Sequence, residues 1–124
     1  MSKSTSDEKL PLTPAVFEIL LALADQDRHG YGIMQEVEQR TEGLMKLGPG
    51  TLYGSIKRML ESDLIEDSGD RPDPELDDDR RKYYRLTKQG RQVASAEANR
   101  LDRQVQQARN KKLLGPAVKE PNRI

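Results

Sequence analysis

The chain has 124 residues, 34% of them hydrophobic and 34% charged, with 21 basic side chains against 21 acidic and a net charge of zero. That length is one domain, and so polar a composition leaves a small core of its own, which predicts that further apolar area is buried by dimerisation. No cysteine and a single histidine exclude disulfides and thiolate zinc sites and leave nucleophilic or metal-assisted catalysis little to work with, so neither an enzyme nor a metal or cofactor is expected.

Residues 1–10 are polar and read as a flexible tail. They lack the apolar segment of a secretory signal, and nowhere does an apolar run approach the ~20 residues of a membrane span, so a cytoplasmic location is expected. Thr13-Pro14 then starts a helix, Thr as the cap and Pro in the first turn. Val16, Phe17, Ile19, Leu20, Leu21, Leu23 and Ala24 make that helix apolar nearly all round. Such a helix is covered on more than one side: by its own core, and here by a partner subunit. Asp25 to Arg28 ends it.

A second helix runs from about His29 to Thr41, with Ile33, Met34 and Val37 inward and Glu36, Glu38, Gln39 and Arg40 outward. Gly30 and Gly32 flank Tyr31 at its start. Two readings fit: backbone N–H groups offered to a phosphate at the positive helix end, or a tight turn around a packed Tyr. His29, alone at a turn, reads as structural. Thr41-Glu42-Gly43 closes the helix, and Leu44 to Leu47 leads to the turn Gly48-Pro49-Gly50.

The stretch Gly48 to Leu64 carries the most information. Leu52, Ile56, Met59 and Leu60 recur at i, i+4, i+7 and i+8, one helical stripe. The opposite face holds Thr51, Gly54, Ser55, Lys57, Arg58 and Glu61. A glycine inside a helix costs roughly 1 kcal/mol relative to Ala, and Gly54 on that face makes sense where another molecule comes close. Two helices joined by a turn, the second with an uncovered face, form a helix-turn-helix whose second helix suits a DNA major groove.

Leu64 to Asp67 reads as a short strand, and Arg81 to Thr87 alternates as a second, with Lys82, Tyr84 and Leu86 on one side and Arg81, Tyr83 and Arg85 on the other. Ser68 to Asp79 is a long connection rich in Asp, Pro and Gly. A hairpin directly after a helix-turn-helix is a wing. Its charge is segregated: residues 80–91 hold six cations and no acid, whereas 70–79 hold six acids and one Arg. The basic end could clamp a phosphate backbone or pair with the wing's own acids, and the acidic tip should point away from DNA.

Thr87 caps a last helix, expected over 88–112. Ala94, Ala98, Leu101, Val105 and Ala108 are spaced four, three, four and three, a coiled-coil seam. At 1.5 Å per residue such a helix is roughly 35–40 Å long, too long for so small a domain to cover. The seam and the first helix's surplus apolar face, with Phe17, Leu20 and Leu21, are the expected dimer surface. Residues 113–124, with Gly115, Pro116 and Pro121, read as a second flexible tail.

Taken together, Leu12-Thr13-Pro14, His29-Gly30-Tyr31-Gly32-Ile33, Gly48-Pro49-Gly50-Thr51-Leu52-Tyr53 and Arg81-Lys82-Tyr83-Tyr84-Arg85-Leu86-Thr87 with Gly90 resemble the PadR family of bacterial transcriptional regulators, over roughly residues 12–112. With one C-terminal helix, the chain resembles the short subfamily. The resemblance implies a mainly α fold with a small β-hairpin: a winged helix-turn-helix over 11–87 and a dimerisation helix over 88–112. It also implies a homodimer that represses a promoter, often relieved by a small-molecule effector at the dimer interface. In this reading Lys57 and Arg58 reach bases or phosphates, Thr51, Tyr53 and Ser55 set the register, and Gly54 lets the DNA come close. Arg81 and Arg85 grip the flanking backbone, with Tyr31 beside them. The rival reading is a winged helix that binds protein and never touches DNA; zero net charge and the acidic wing loop favour it.

Overall fold

A computed structural model describes residues 10–70 and 82–115. Among these residues, four helices, α1 (Pro14–Ala22), α2 (Gly30–Arg40), α3 (Pro49–Glu61) and α4 (Lys88–Asn110), accompany a small antiparallel sheet of β1 (Arg28–His29), β2 (Ile65–Asp70) and β3 (Lys82–Leu86), in the order β1-β3-β2. The expected termini and wing tip, with Arg81, lie largely or wholly outside the described residues.

Helices α1, α2 and α4 each start at a side-chain cap. Thr13 Oγ1 accepts from the Val16 N–H at 3.2 Å, with Pro14 in the first turn of α1. Thr87 Oγ1 accepts from the Gly90 N–H at 2.9 Å and opens α4. His29 caps α2, its Nδ1 accepting from the Gly32 N–H at 2.8 Å. At the other end of α2, the Thr41 hydroxyl donates to the Val37 carbonyl (2.7 Å) and accepts from the Met45 N–H (3.1 Å). One side chain thereby secures the turn that aims α3.

The core is a single cluster: Ile19, Leu20, Ala22 and Leu23 of the first helical stretch, Ile33 and Val37 of α2, Leu52, Ile56 and Met59 of α3, and Leu47, Leu64, Ile65, Tyr84 and Val93 around them. Helix α1 packs on α2, α3 and α4 together, which is why its sequence is apolar on so many sides. Leu20 was expected at the dimer surface. It is fully buried within the protomer, because that side of α1 is spent on the core, while Phe17 and Leu21 remain half-exposed. Arg40 ties α1 to α2 from outside, reaching Glu18 Oε1 at 2.6 Å and Glu36 Oε2 at 2.8 Å.

The sheet has a strand more than the hairpin read from the sequence. Arg28 and His29 pair with Tyr84 and Tyr83. Two residues carry no alternation pattern, so β1 is set by the tertiary fold alone. Strands β2 and β3 align Ile65 with Leu86, Glu66 with Arg85 and Asp67 with Tyr84, with a bulge between Asp67 and Gly69. Tyr84 faces the core and Tyr83 and Arg85 face outward, as the alternation predicts.

Helix α4 enters where it crosses the chain leaving α3. A Cβ on Gly90 would collide with the Leu64 carbonyl, so only glycine permits this approach. The buried residues of α4 are Gly90, Val93 and Glu97. That stripe lies beside the Ala94-Ala98-Leu101-Val105-Ala108 seam, which the protomer's own core leaves half-exposed or exposed.

Candidate nucleic-acid interface

Helix α3 divides cleanly along its length. Leu52, Ser55, Ile56 and Met59 are buried, and Thr51, Lys57, Arg58 and Glu61 are exposed. Ser55 was read as part of the outer face. It is 1% exposed, and its Oγ lies 3.4 Å from Arg58 Nη2. Position 55 is three after Leu52 and four before Met59, so the small hydroxyl lies along the margin of the buried stripe. Ser55 therefore supports the outer face and does not belong to it. A Cβ at Gly54 would meet only the Arg58 guanidinium, at an ordinary 3.6 Å. Among the described residues, nothing requires glycine there.

Tyr53 is half-buried and leans on the start of α2. A Cβ at Gly30 would overlap its ring, so Gly30 exists for this packing. Gly32 faces the His29 ring, and its N–H is already taken by His29 Nδ1. Of the two readings of this glycine pair, packing around a tyrosine is the one built, although the tyrosine is Tyr53 of α3 and not the neighbouring Tyr31. Tyr31 is 37% exposed at the tip of α2. Its ring stacks near His29 at 6.4 Å between centroids, and His29 meets Tyr83 of β3 edge-on at 5.1 Å. An aromatic row thus joins the start of α2 to the wing.

On the wing, Arg85 Nε lies 2.7 Å from Glu66 Oε2, with the two side chains 55% and 47% exposed. Glu66 raises the Arg85 guanidinium above its ordinary value through that hydrogen bond. Of the two readings of the basic strand, pairing with the wing's own acids holds for Arg85. Arg81 lies outside the described residues. Sequence reasoning missed two features: the His29 cap, signalled only by the spacing of His29 and Gly32, and the buried carboxylate Glu97, which no polarity pattern marks as internal. Among the described residues no cluster of His, Cys, Asp or Glu could hold a metal, and no helix is long and apolar enough to cross a membrane.

Two helices joined by a stitched turn, the second with a cationic outer face, followed by a β-hairpin against the same core, define a winged helix-turn-helix protein. Residues 19–96 match the Transcriptional regulator PadR-like family, and the chain belongs to that family. Its members are transcriptional regulators and not enzymes. A PadR family transcription regulator from hypervirulent Clostridium difficile superposes with a TM-score of 0.64 at 26% identity, over 82% of this chain and 100% of that one. Bacillus subtilis PadR in complex with operator DNA has the same fold, with a TM-score of 0.55 at 16% identity over 92% of this chain and 55% of its own. An uncharacterised protein of Lysinibacillus sphaericus is 36% identical over 78 residues, 62% of this chain and 68% of the relative.

Proposed function

We propose that this chain is a cytoplasmic, sequence-specific DNA-binding regulator that represses transcription as a homodimer on a pseudo-palindromic operator. The observation that carries the reading is the outer face of α3, where Thr51, Lys57 and Arg58 stand exposed around Gly54 while the other face is core. A major groove accepts one helix, and dimers place two such helices about one duplex turn apart. The operator complex solved for Bacillus subtilis PadR supports the same use of the fold.

In this reading residues 11–87 bind DNA and 88–112 dimerise. Lys57 and Arg58 reach bases or phosphates, Thr51 sets register, and Tyr31 and Tyr53 brace the helix against the flanking backbone. Arg81 contacts that backbone from the wing, and Arg85 joins it on exchanging Glu66 for a phosphate. Phe17, Leu21, Ala94, Ala98, Leu101, Val105 and Ala108 form the dimer surface, and an effector would sit between the paired α4 helices.

A gel-shift titration on DNA selected by the purified protein tests this. Lys57→Ala with Arg58→Ala should abolish specific binding and leave the dimer intact; unchanged affinity refutes the assignment. The Arg85–Glu66 pair and the zero net charge favour a second reading, a winged helix that binds protein. That reading would be selected by failure to retain any genomic fragment while a protein partner co-purifies.

A further inference from the structure

The carboxylate of Glu97 is 2% exposed in a protomer whose other fully buried side chains are nearly all apolar. Burying a charge is unfavourable without compensating hydrogen bonds, so its partners indicate what it is for. Arg100, one turn on, binds it with Nε and Nη2, the latter at 3.0 Å. The backbone N–H of Leu12 donates to Oε2 at 3.1 Å, across 85 residues of sequence. Arg100 belongs to the same helix and serves to hold the carboxylate charged and oriented. Leu12 belongs to the strap that leads into α1, which packs on α2 and α3.

Glu97 is also the last buried residue of α4. Near its start this helix is fastened by the close approach of Gly90 to the Leu64 carbonyl, by Val93 in the core and by Arg91 Nη2 on the Ala24 carbonyl at 3.1 Å. Its last fastening is the Glu97–Leu12 hydrogen bond, about 10 Å beyond Gly90 at 1.5 Å per residue. Points fastened along a rod define its axis. Beyond Glu97 the helix continues to Asn110, about 20 Å more, without another buried residue. A tilt of about 10° at Glu97 moves the far end by roughly 3.5 Å, close to the ~3.4 Å rise of one base pair.

We propose that Glu97 is a positioning residue that sets the angle between α4 and the DNA-reading body, and through it the half-site spacing that the dimer accepts. This rests on the reading of the protein as a dimeric DNA binder.

The test is selection from random-sequence duplex DNA with full-length protein, wild type beside Glu97→Ala and Glu97→Gln. Sedimentation and circular dichroism are measured on the same samples. Wild type should retain paired half-sites at one dominant spacing. The variants should keep the half-site sequence and the dimer, but spread over spacings differing by about one base pair or more. Arg100→Gln, at a position that lies toward solvent, supplies the same readout where the alanine variant unfolds. An unchanged single spacing in every folded variant, even with weaker binding throughout, would overturn the inference and leave Glu97 merely structural. Unpaired sites retained by wild type would overturn the dimeric reading itself, and this inference with it.

Discussion

Arg85 meets Glu66 across the two long strands, and the pair sits where a wing would reach phosphates. An ion pair this exposed is screened by solvent and contributes little to stability, so Glu66 does little for the fold. In the proposed DNA complex its cost would be larger, because Arg85 is engaged and a carboxylate would stand beside the phosphates. Glu66→Gln should therefore leave the melting temperature nearly unchanged, tighten DNA binding several-fold and steepen its salt dependence. Equal or weaker binding in a titration over salt concentration would show that the wing stays off the duplex. Gly30 presents the opposite case, a residue whose worth is steric. An added methyl overlaps the Tyr53 ring, and Gly30→Ala should cost about 1–3 kcal/mol in urea unfolding. In a Tyr53→Ala background most of that cost should vanish, since the obstacle is gone.

Among the elements, α4 joins a covered third to an uncovered remainder. Hydrogen bonds from Arg100 hold the Glu97 carboxyl below the usual carboxylate range; burial opposes the shift and the Leu12 N–H adds to it. A carboxyl whose folded value is depressed binds protons more readily when unfolded, so stability rises with pH across this range. The contribution is fully present above the ordinary value of 4.5 and is lost as pH falls through the folded one. Thermal melts at stepped pH below neutrality should show a drop in acid that is smaller in Glu97→Gln. Equal acid sensitivity in the two proteins would assign the drop to other carboxylates. Helix α3 depends on its neighbours in a different manner. Its start has no side-chain cap, and it is held by the stripe Leu52, Ile56 and Met59 and by the Thr41 turn before it.

At the scale of the whole molecule, the protomer leaves apolar groups outside: Val105 is 42% exposed, and Leu101 and Ala108 are only half covered. With α1's Phe17 and Leu21 these would form the surface of the proposed dimer. If the proposed dimer forms, Leu101→Asp with Val105→Asp should convert it to a monomer that keeps its helical spectrum and loses operator affinity by at least tenfold, since each half-site then binds alone. Sedimentation velocity together with the gel shift checks both. A dimer that survives both charges would place the interface elsewhere.

What the sequence determined by itself was local. The Thr13, Thr87 and Gly48-Pro49 starts, the period of the α3 stripe and the alternation of β3 all rest on neighbours within a turn or two, and all can be read from the residues in order. The tertiary structure alone decided what depends on distant partners. Leu20 went inward because core surfaces from other elements met it there. Arg28 and His29 became a strand because β3 offered them an open edge. A glutamate in a polar helix became its deepest charged group because the Leu12 N–H, 85 residues away, lay within reach. Periodicity records which side of an element is apolar; only packing settles which of its residues at the margin are covered, and by what.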